Sequence, residues 1–459
     1  MKEKRKFGVI DQIGYVFGDM GGSFVNLYVD AFFLTFCTYV LGIKATWMGS
    51  LFLFARLWDA VNDPIIGSFP DRWQIGKSGD KFKPYIKIAM IPLAVSGLLC
   101  FTDVSSWSSL AKHGWVIFAY LAYGMSYTGT SMPFGSMAAV ITNDPVERTK
   151  LSRARAIGGT IVGIGALSLV PQFVFNKSGE VVPSGFFKVA VVFGALSLIS
   201  YYLLLKLTTE RVRQTKVEGQ KFNYGKVLKG VLKNRPMLGV MLATVGSLLY
   251  ITGNGQLSSY LYKEFYHAPQ VLSLVSLVNV PIMLVFFPVI PKLSQKFGKR
   301  NVILTCSGYN LIISTVLFLV PIQNVYVFLV LNTLAVSGQT AFTMLIWAFV
   351  TDCIDYSEFQ TGERSDGSLY SIYTFSRKIG STLASTIASF SLGAIGYVSG
   401  IQSQAPEIAN HIRSLCTSIP VITCVLELIG IGLVYNLTKE KTEEMYTELN
   451  KRRTQKNVV

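Results

Sequence analysis

The run Arg56–Asp63 (RLWDAVND) sets four polar side chains into an otherwise apolar stretch. Asp59 and Asp63 are spaced i,i+4, with Asn62 three residues after Asp59 and Arg56 three before it. On a helix this spacing puts all four on one face, with their polar atoms converging. Two adjacent carboxylates repel unless a cation lies between them or one holds a proton. A sodium ion takes hard oxygen ligands, and a proton would suit the same pair. The competing arrangement is a lock in which a carboxylate merely neutralises Arg56.

The region before it repeats the theme. Asp19, Ser23, Asn26 and Asp30 step by four, three and four residues, a polar stripe along one helix. Such a stripe lines an aqueous cavity or packs against other polar groups. Gly14, Gly18, Gly21 and Gly22 allow a close approach or a bend there. Tyr123, Tyr127, Thr128 and Ser131 precede Pro133. Sugars are held by this mixture, their C–H faces on aromatic rings and their hydroxyls on polar groups. Tyr370, Tyr373, Thr374, Arg377, Lys378 and Ser381 form a second mixed stretch. Its two cations must face water, a carboxylate or an anionic ligand. Asp352, Asp355 and Glu358, at i, i+3 and i+6, could pair with Arg148 and Arg364 as an ionic gate, or form a static network.

The segments that carry these residues are membrane-like. Of 459 residues, 51% are hydrophobic and 15% charged, with a mean hydropathy of +0.43. A soluble surface of this size needs more charge. Apolar blocks such as Ile86–Phe101, Val116–Val140, Val189–Leu207, Val302–Val320, Val325–Val350 and Val421–Val434 recur along the chain. With their flanks they reach the roughly 20 residues that span a bilayer. About twelve spans are expected, in two pseudo-symmetric six-helix halves. The N-terminal bundle is read as 1–207, the linker as 208–236, the C-terminal bundle as 237–437 and a solvated tail as 438–459. Basic glycine-containing turns after spans two (Asp71, Arg72, Gly76, Lys77) and eight (Lys292–Arg300) echo one another, as a parallel repeat predicts.

The net charge of +16 is distributed as topology rather than as a nucleic-acid surface. Basic residues gather in alternate loops and at both ends, the positive-inside pattern with both termini cytoplasmic. The basic start runs into a segment carrying Asp11, Asp19 and Asp30, unlike a cleavable signal peptide. The six cysteines are scattered without metal-ligand spacing and read as small buried hydrophobes. His113, His267 and His411 fall in loops, which disfavours a histidine proton relay.

Taken in order, RLWDAVNDPIIG (56–67), KFKPY (81–85), YGMSYTGTSMPF (123–134), VTDCIDYSE (350–358) and GERSDGSLYSIYTFSRKIG (362–380) resemble the glycoside–pentoside–hexuronide:cation symporters of the major facilitator superfamily. The resemblance runs from about Tyr15 to Tyr435. It implies that Asp59 and Asp63, with Asn62 and Thr374, hold the coupling Na⁺ or H⁺. It implies sugar-pocket roles for Tyr127, Thr128 and Arg155, a place for Lys378 between cation and sugar, and gate roles for Arg148, Asp352, Asp355, Glu358 and Arg364.

Departures from the galactoside-carrying members narrow the substrate. Gly22 and Ser23 replace a lysine–aspartate pair, Ser131 an aspartate, and Gly135 and Thr343 tryptophans. The acids that grip galactoside hydroxyls are therefore missing. The Gly18–Asp19 pattern, the run TFSRKIG (374–380) and the turn Asn234–Pro236 are closer to glucuronide-carrying members. A glycoside is the expected ligand, either a β-glucuronide or another hexuronide or pentoside, touching Asp19, Ser23, Tyr127, Thr128, Ser131, Arg155, Thr343 and Lys378.

The expectation is a monomeric, multi-pass transporter of a bacterial cytoplasmic membrane, working by alternating access. Its partners are a glycoside, a monovalent cation and lipid. No cofactor, metal site beyond Na⁺, nucleic acid or enzymatic chemistry is expected. A passive facilitator, or a membrane sugar sensor without transport, is the competing reading. A facilitator would tolerate neutralising Asp59 and Asp63.

Overall fold

The computed structural model describes residues 5–73, 75, 79–142, 144–211, 234–362 and 366–456. Nine helices among the described residues are long and apolar enough to cross a membrane. In chain order these are α1 (Val9–Tyr39), α3 (Lys83–Cys100), α5 (Val146–Val174), α6 (Pro183–Leu207), α7 (Arg235–Phe265), α8 (Pro269–Phe297), α9 (Lys299–Leu319), α10 (Val325–Thr361) and α12 (Pro406–Val434). Three further long helices, α2 (Ala45–Gly67), α4 (Ser109–Ile141) and α11 (Asp366–Ala394), complete a set of twelve. A final helix, α13 (Lys439–Lys456), is polar. The described residues form an all-helical bundle of candidate membrane spans.

Helix starts follow capping chemistry. Asp144 accepts from the N–H groups of Val146 and Glu147 at 2.7 and 3.2 Å, and Asn324 from those of Tyr326 and Val327 at 2.9 and 3.2 Å. Asn234 accepts from Met237 N–H at 3.1 Å and donates to the Cys353 carbonyl at 2.9 Å, fixing the start of α7 against α10. These short polar side chains satisfy amides that hydrocarbon could not. The start of α3 is closed from far along the chain: Glu210 Oε1 accepts from Phe82 and Lys83 N–H at 3.0 and 2.9 Å. Beside it Arg211 Nη2 meets the buried Asp11 carboxylate at 2.9 Å. Residues 208–211, expected as linker, are thus folded onto the first bundle because they carry its closing polar contacts. Residues 212–233, and Gly76 and Lys77 of the first echoed turn, lie outside the described residues.

The chain forms two compact units. The first comprises residues 1–218, 262–277 and 392–405; the second comprises 219–261, 278–391 and 406–459. In the first, α1 packs on α6 where its glycines bring the helices close. A Cβ on Gly18 would lie 2.3 Å from the Phe134 ring and 2.9 Å from Leu204. In the second, Gly239 of α7 and Gly430 of α12 touch reciprocally, each Cβ position lying 2.4 or 2.5 Å from the other's carbonyl oxygen. Small residues permit the close approach by which helices associate in lipid. Large apolar side chains such as Leu284, Val285 and Phe287 of α8 point outward at 59–70% exposure, as a lipid-facing surface requires.

The tail departs from the expectation of a solvated end. Met445 and Leu449 of α13 are buried, and Tyr446 donates to Asp352 Oδ1 of α10 at 2.8 Å. Arg452 stacks over Phe359 and donates to its carbonyl at 3.1 Å. The helix is amphipathic enough for an apolar strip and one tyrosine to dock while its charges stay in water.

In the first unit, the end of α7 is tied to α1 by a buried ion pair. Lys263 Nζ lies 2.7 Å from Glu264 Oε1, with side-chain exposures of 4% and 1%. Tyr39 donates to the same oxygen at 2.7 Å, and Gln404 N–H to Oε2 at 2.8 Å. Lys263 also donates to the Gln402 carbonyl and sits 4.5 Å above the Tyr39 ring. Removing one partner leaves a desolvated charge. Glu264→Ala is expected to destabilise the purified protein by about 3–5 kcal/mol. The double variant Lys263→Met/Glu264→Leu should recover part of that loss. Equal thermal unfolding of the single and double variants would show that the pair's charge is not what matters.

Candidate functional site

The α2 acids sit in the first unit against α4. Thr128 donates to Asp63 Oδ1 at 2.8 Å, and a Cβ on Gly124 would stand 3.4 Å from Asp59 Oδ1. Arg56 pairs with Asp59 through Nη1 at 3.3 Å. Asn62 is buried, with its Nδ2 lacking an acceptor. The four residues therefore share a face, as their spacing requires. Asp59 has a guanidinium and Asp63 a hydroxyl. Hydrocarbon cannot solvate either carboxylate, so each needs such a partner.

The α1 stripe supplies the neighbouring layer. Asn26 donates to Asp30 Oδ2 at 3.0 Å and accepts from Tyr123 at 2.7 Å. Arg56 is within Coulombic reach of Asp30 and Tyr123. Tyr123 stacks on Tyr127 with ring centroids 6.2 Å apart. About two turns earlier on α1, Asp19 Oδ1 accepts from Arg155 Nε of α5 at 3.0 Å, and Asp19 Oδ2 from Ser23 at 3.3 Å. The Arg155 guanidinium also lies 5.4 Å from the Phe134 ring centroid. Gly159 of α5 permits this meeting, since a Cβ there would lie 2.9 Å from Asp19 Oδ2. Asp19, Ser23 and Arg155 thus form one cluster. Thr128 joins the acidic pair, Tyr127 lies between the two groups in sequence and stacking, and Ser131 is half-buried one turn further on.

The remaining candidates lie in the second unit. Thr374 is half-buried and Lys378 exposed on α11, and Thr343 is exposed on α10 with its hydroxyl on the Gln339 carbonyl at 3.1 Å. Arg377 finds an aromatic platform, 5.3 Å above Trp347, which meets Tyr373 edge-on at 5.2 Å. This accounts for one of the two adjacent cations without an anionic ligand.

Among the gate candidates, Asp352 is buried and pairs with Lys299 of α9, accepting also from Tyr435 at 3.3 Å and Tyr446 at 2.8 Å. Burial and the neighbouring Asp352 hold the Tyr446 phenol well above its ordinary range. Asp355 is buried and Glu358 half-buried on the same helix. Arg148, in the first unit, donates through Nε to the Thr142 carbonyl at 3.0 Å. Arg364 and the side chain of Tyr370 lie outside the described residues. No group of three or more His, Cys, Asp or Glu able to hold a metal occurs among the described residues.

Several charged groups were not anticipated as a set: the Lys263–Glu264 pair, Lys299 and Tyr446 around Asp352, and Glu427. Glu427 stands alone in the apolar block Val421–Val434. The rule that singles out Asp19 or Asp59, an acid inside a span, would have found it. Lys299 and Tyr446 carry no such local signal, because only tertiary packing brings them to Asp352.

The sequence profile described as MFS/sugar transport protein matches residues 14–439. An uncharacterised symporter of Bacillus subtilis is 29% identical, covering 98% of this chain and 97% of its own. A glucuronide carrier protein homolog of Escherichia coli is 28% identical, covering 96% and 95%. Among solved structures, a bacterial homolog of the human lysosomal transporter Spinster superposes with TM-score 0.64 at 12% identity, over 96% of this chain and 97% of that one. This last likeness concerns the fold alone. These proteins are transporters rather than enzymes. With the profile matched over most of its length, the chain belongs to the MFS/sugar transport protein family and is a multi-pass membrane sugar transporter.

Proposed function

We propose that the protein imports a glycoside by symport with Na⁺ or H⁺, with an anionic glycoside of the β-glucuronide class as the substrate. The observation that carries this reading is the Thr128–Asp63 hydrogen bond. It joins the acidic face of α2 to the α4 face that bears Tyr127, so charge at the carboxylates and contact at the ring are one residue apart. Asp59 and Asp63, assisted by Asn62 and Thr374, take the cation. Asp19, Ser23, Tyr127, Thr128, Ser131, Arg155, Thr343 and Lys378 face the sugar. Arg155, half-exposed and held by Asp19, supplies a cation that an anionic glycoside can share. The likeness to a glucuronide carrier homolog supports the same substrate class. Arg148, Asp352, Asp355, Glu358 and Arg364 act as a gate at the cytoplasmic side, where both termini lie.

Coupling requires only that bound cation raise sugar affinity, and linkage makes the effect reciprocal. A passive facilitator is favoured by one specific contact, the Arg56–Asp59 pair, which by itself neutralises both groups.

The deciding experiment is uptake of labelled β-glucuronides, β-xylosides and neutral galactosides into vesicles, with a Na⁺ gradient or a pH gradient imposed separately. Symport predicts accumulation of one class above equilibrium under one gradient, abolished by Asp63→Asn. Equilibration without accumulation under both gradients, unaltered by that substitution, leaves a facilitator. Thr128→Val keeps the side-chain volume and removes the donor to Asp63. It is expected to raise the cation concentration for half-maximal uptake about tenfold, in line with a lost hydrogen bond to a charged group. An unchanged cation dependence would remove Thr128 from the cation site.

A further inference from the structure

The second unit contains an acid that the transport reading does not use. Glu427 of α12 is fully buried among α7, α9 and α10. Ser307 of α9 donates to its Oε2 at 2.7 Å. The Gln339 amide of α10 is the other polar group against the carboxyl. That amide directs Nε2 to Ser247 of α7 at 2.6 Å. Glu427 Oε1 and Gln339 Oε1 are then both buried without a donor. Each is a buried acceptor left without a hydrogen, a costly arrangement in a helical bundle.

Among the described residues no cation is paired with Glu427. The titratable groups in the field of Glu427 are Cys306 on α9 and Cys424 on its own helix, and beside these lie Tyr309 on α9 and Tyr250 on α7, all neutral in their ordinary state. The cationic Arg300, at the start of α9, is committed through Nε and Nη2 to the carbonyls of Ile431 and Gly432, at 3.1 and 2.6 Å. Arg413 is some four turns away along α12, bonded to the carbonyls of Leu317 and Phe318 at 3.2 Å. An ionised Glu427 would be a buried charge without a counter-charge, which a protein interior avoids by neutralising the group.

We propose that Glu427 is a proton-binding site of the second unit, separate from the acidic pair of α2, with the acid O–H at Oε1 donated to the Gln339 side-chain oxygen. One hydrogen then satisfies both orphaned atoms, while Oε2 keeps its bond from Ser307. A proton suits the site better than a metal cation, because it supplies the missing donor without needing a coordination shell of several oxygens.

The test is infrared spectroscopy of the purified full-length protein in lipid vesicles at neutral pH, in H₂O and in D₂O. The expected result is a protonated-carboxyl C=O band that shifts on deuteration, disappears in Glu427→Gln and survives in Asp59→Asn/Asp63→Asn. Glu427→Gln mimics the acid in shape and donor pattern, and so is expected to fold and melt like the parent. Gln339→Leu provides an independent reading if it does not. Without its acceptor the O–H is freer, and the band should persist and move to higher wavenumber. A spectrum unchanged by Glu427→Gln, or a band that Gln339→Leu does not move, overturns the proposal. In the first case Glu427 is ionised, with the Gln339 amide turned to donate to it; in the second its proton is held by an acceptor other than Gln339.

Discussion

A carboxylate carried into hydrocarbon must find its partner within the protein. Each buried acid meets this need differently. Asp19 takes a guanidinium and a hydroxyl, Asp30 an amide, Asp59 a guanidinium, Asp63 a hydroxyl, and Glu264 an ammonium, a phenol and a backbone N–H. The differences carry meaning. An acid held by a fixed cation, as Glu264 is, gains little from a second one. Asp63 takes a neutral hydroxyl among its partners. Glu427 lies at the far end of the series, with a hydroxyl on one oxygen and no counter-charge, so a bound proton is the simplest way to satisfy it.

Packing makes these meetings possible. Without a hydrophobic driving force between helices in lipid, close backbone approach supplies the association. Gly159 admits Asp19 to α5, Gly124 admits Asp59 to α4, and the Gly239–Gly430 contact draws α12 onto α7 just beyond Glu427. A methyl group at Gly159, Gly239 or Gly430 would collide with a carboxylate or a carbonyl, while at Gly124 it would just touch Asp59. Glycine in these spans is therefore tied to where the charges can be placed.

Much of this was legible in the sequence. Apolar block length reveals the spans, and i,i+4 spacing places Asp59 and Asp63, or Asp19 and Ser23, on one face, because helix periodicity is a local property. The stripe on α1 was likewise visible, yet it is split in space. Asp19 turns to α5, while Asp30 is held by Asn26, which itself meets Tyr123 of α4, a division that depends on which neighbour each residue faces. Thr128 was read as a sugar contact from resemblance, and its bond to Asp63 comes from the α2–α4 packing that no local pattern encodes. The tail misled for a related reason. Its charges dominate its composition, while Met445, Tyr446 and Leu449 suffice for docking once α10 offers an apolar strip and a buried aspartate.

These partnerships also suggest how an ion could speak to a sugar without any long lever. From Asp59 the contacts run to Arg56, which shares the electrostatic field of Asp30. Asp30 is held by Asn26, Asn26 by Tyr123, and Tyr123 stacks on Tyr127. Thr128, the next residue, returns to Asp63. The circuit begins and ends on the acidic pair and passes through the ring offered to a sugar. Placing a positive charge between Asp59 and Asp63 weakens the hold of Asp59 on Arg56 and frees the guanidinium to lean on Asp30. That change competes with the Asn26 amide and so bears on the hydroxyl of Tyr123. Coupling factors of 5–150-fold correspond to only about 1–3 kcal/mol, the scale of one or two hydrogen bonds exchanged in such a ring. On the proposed reading, the circuit is short enough for both ligands to act on the same few bonds, so a separate transmission pathway is not needed.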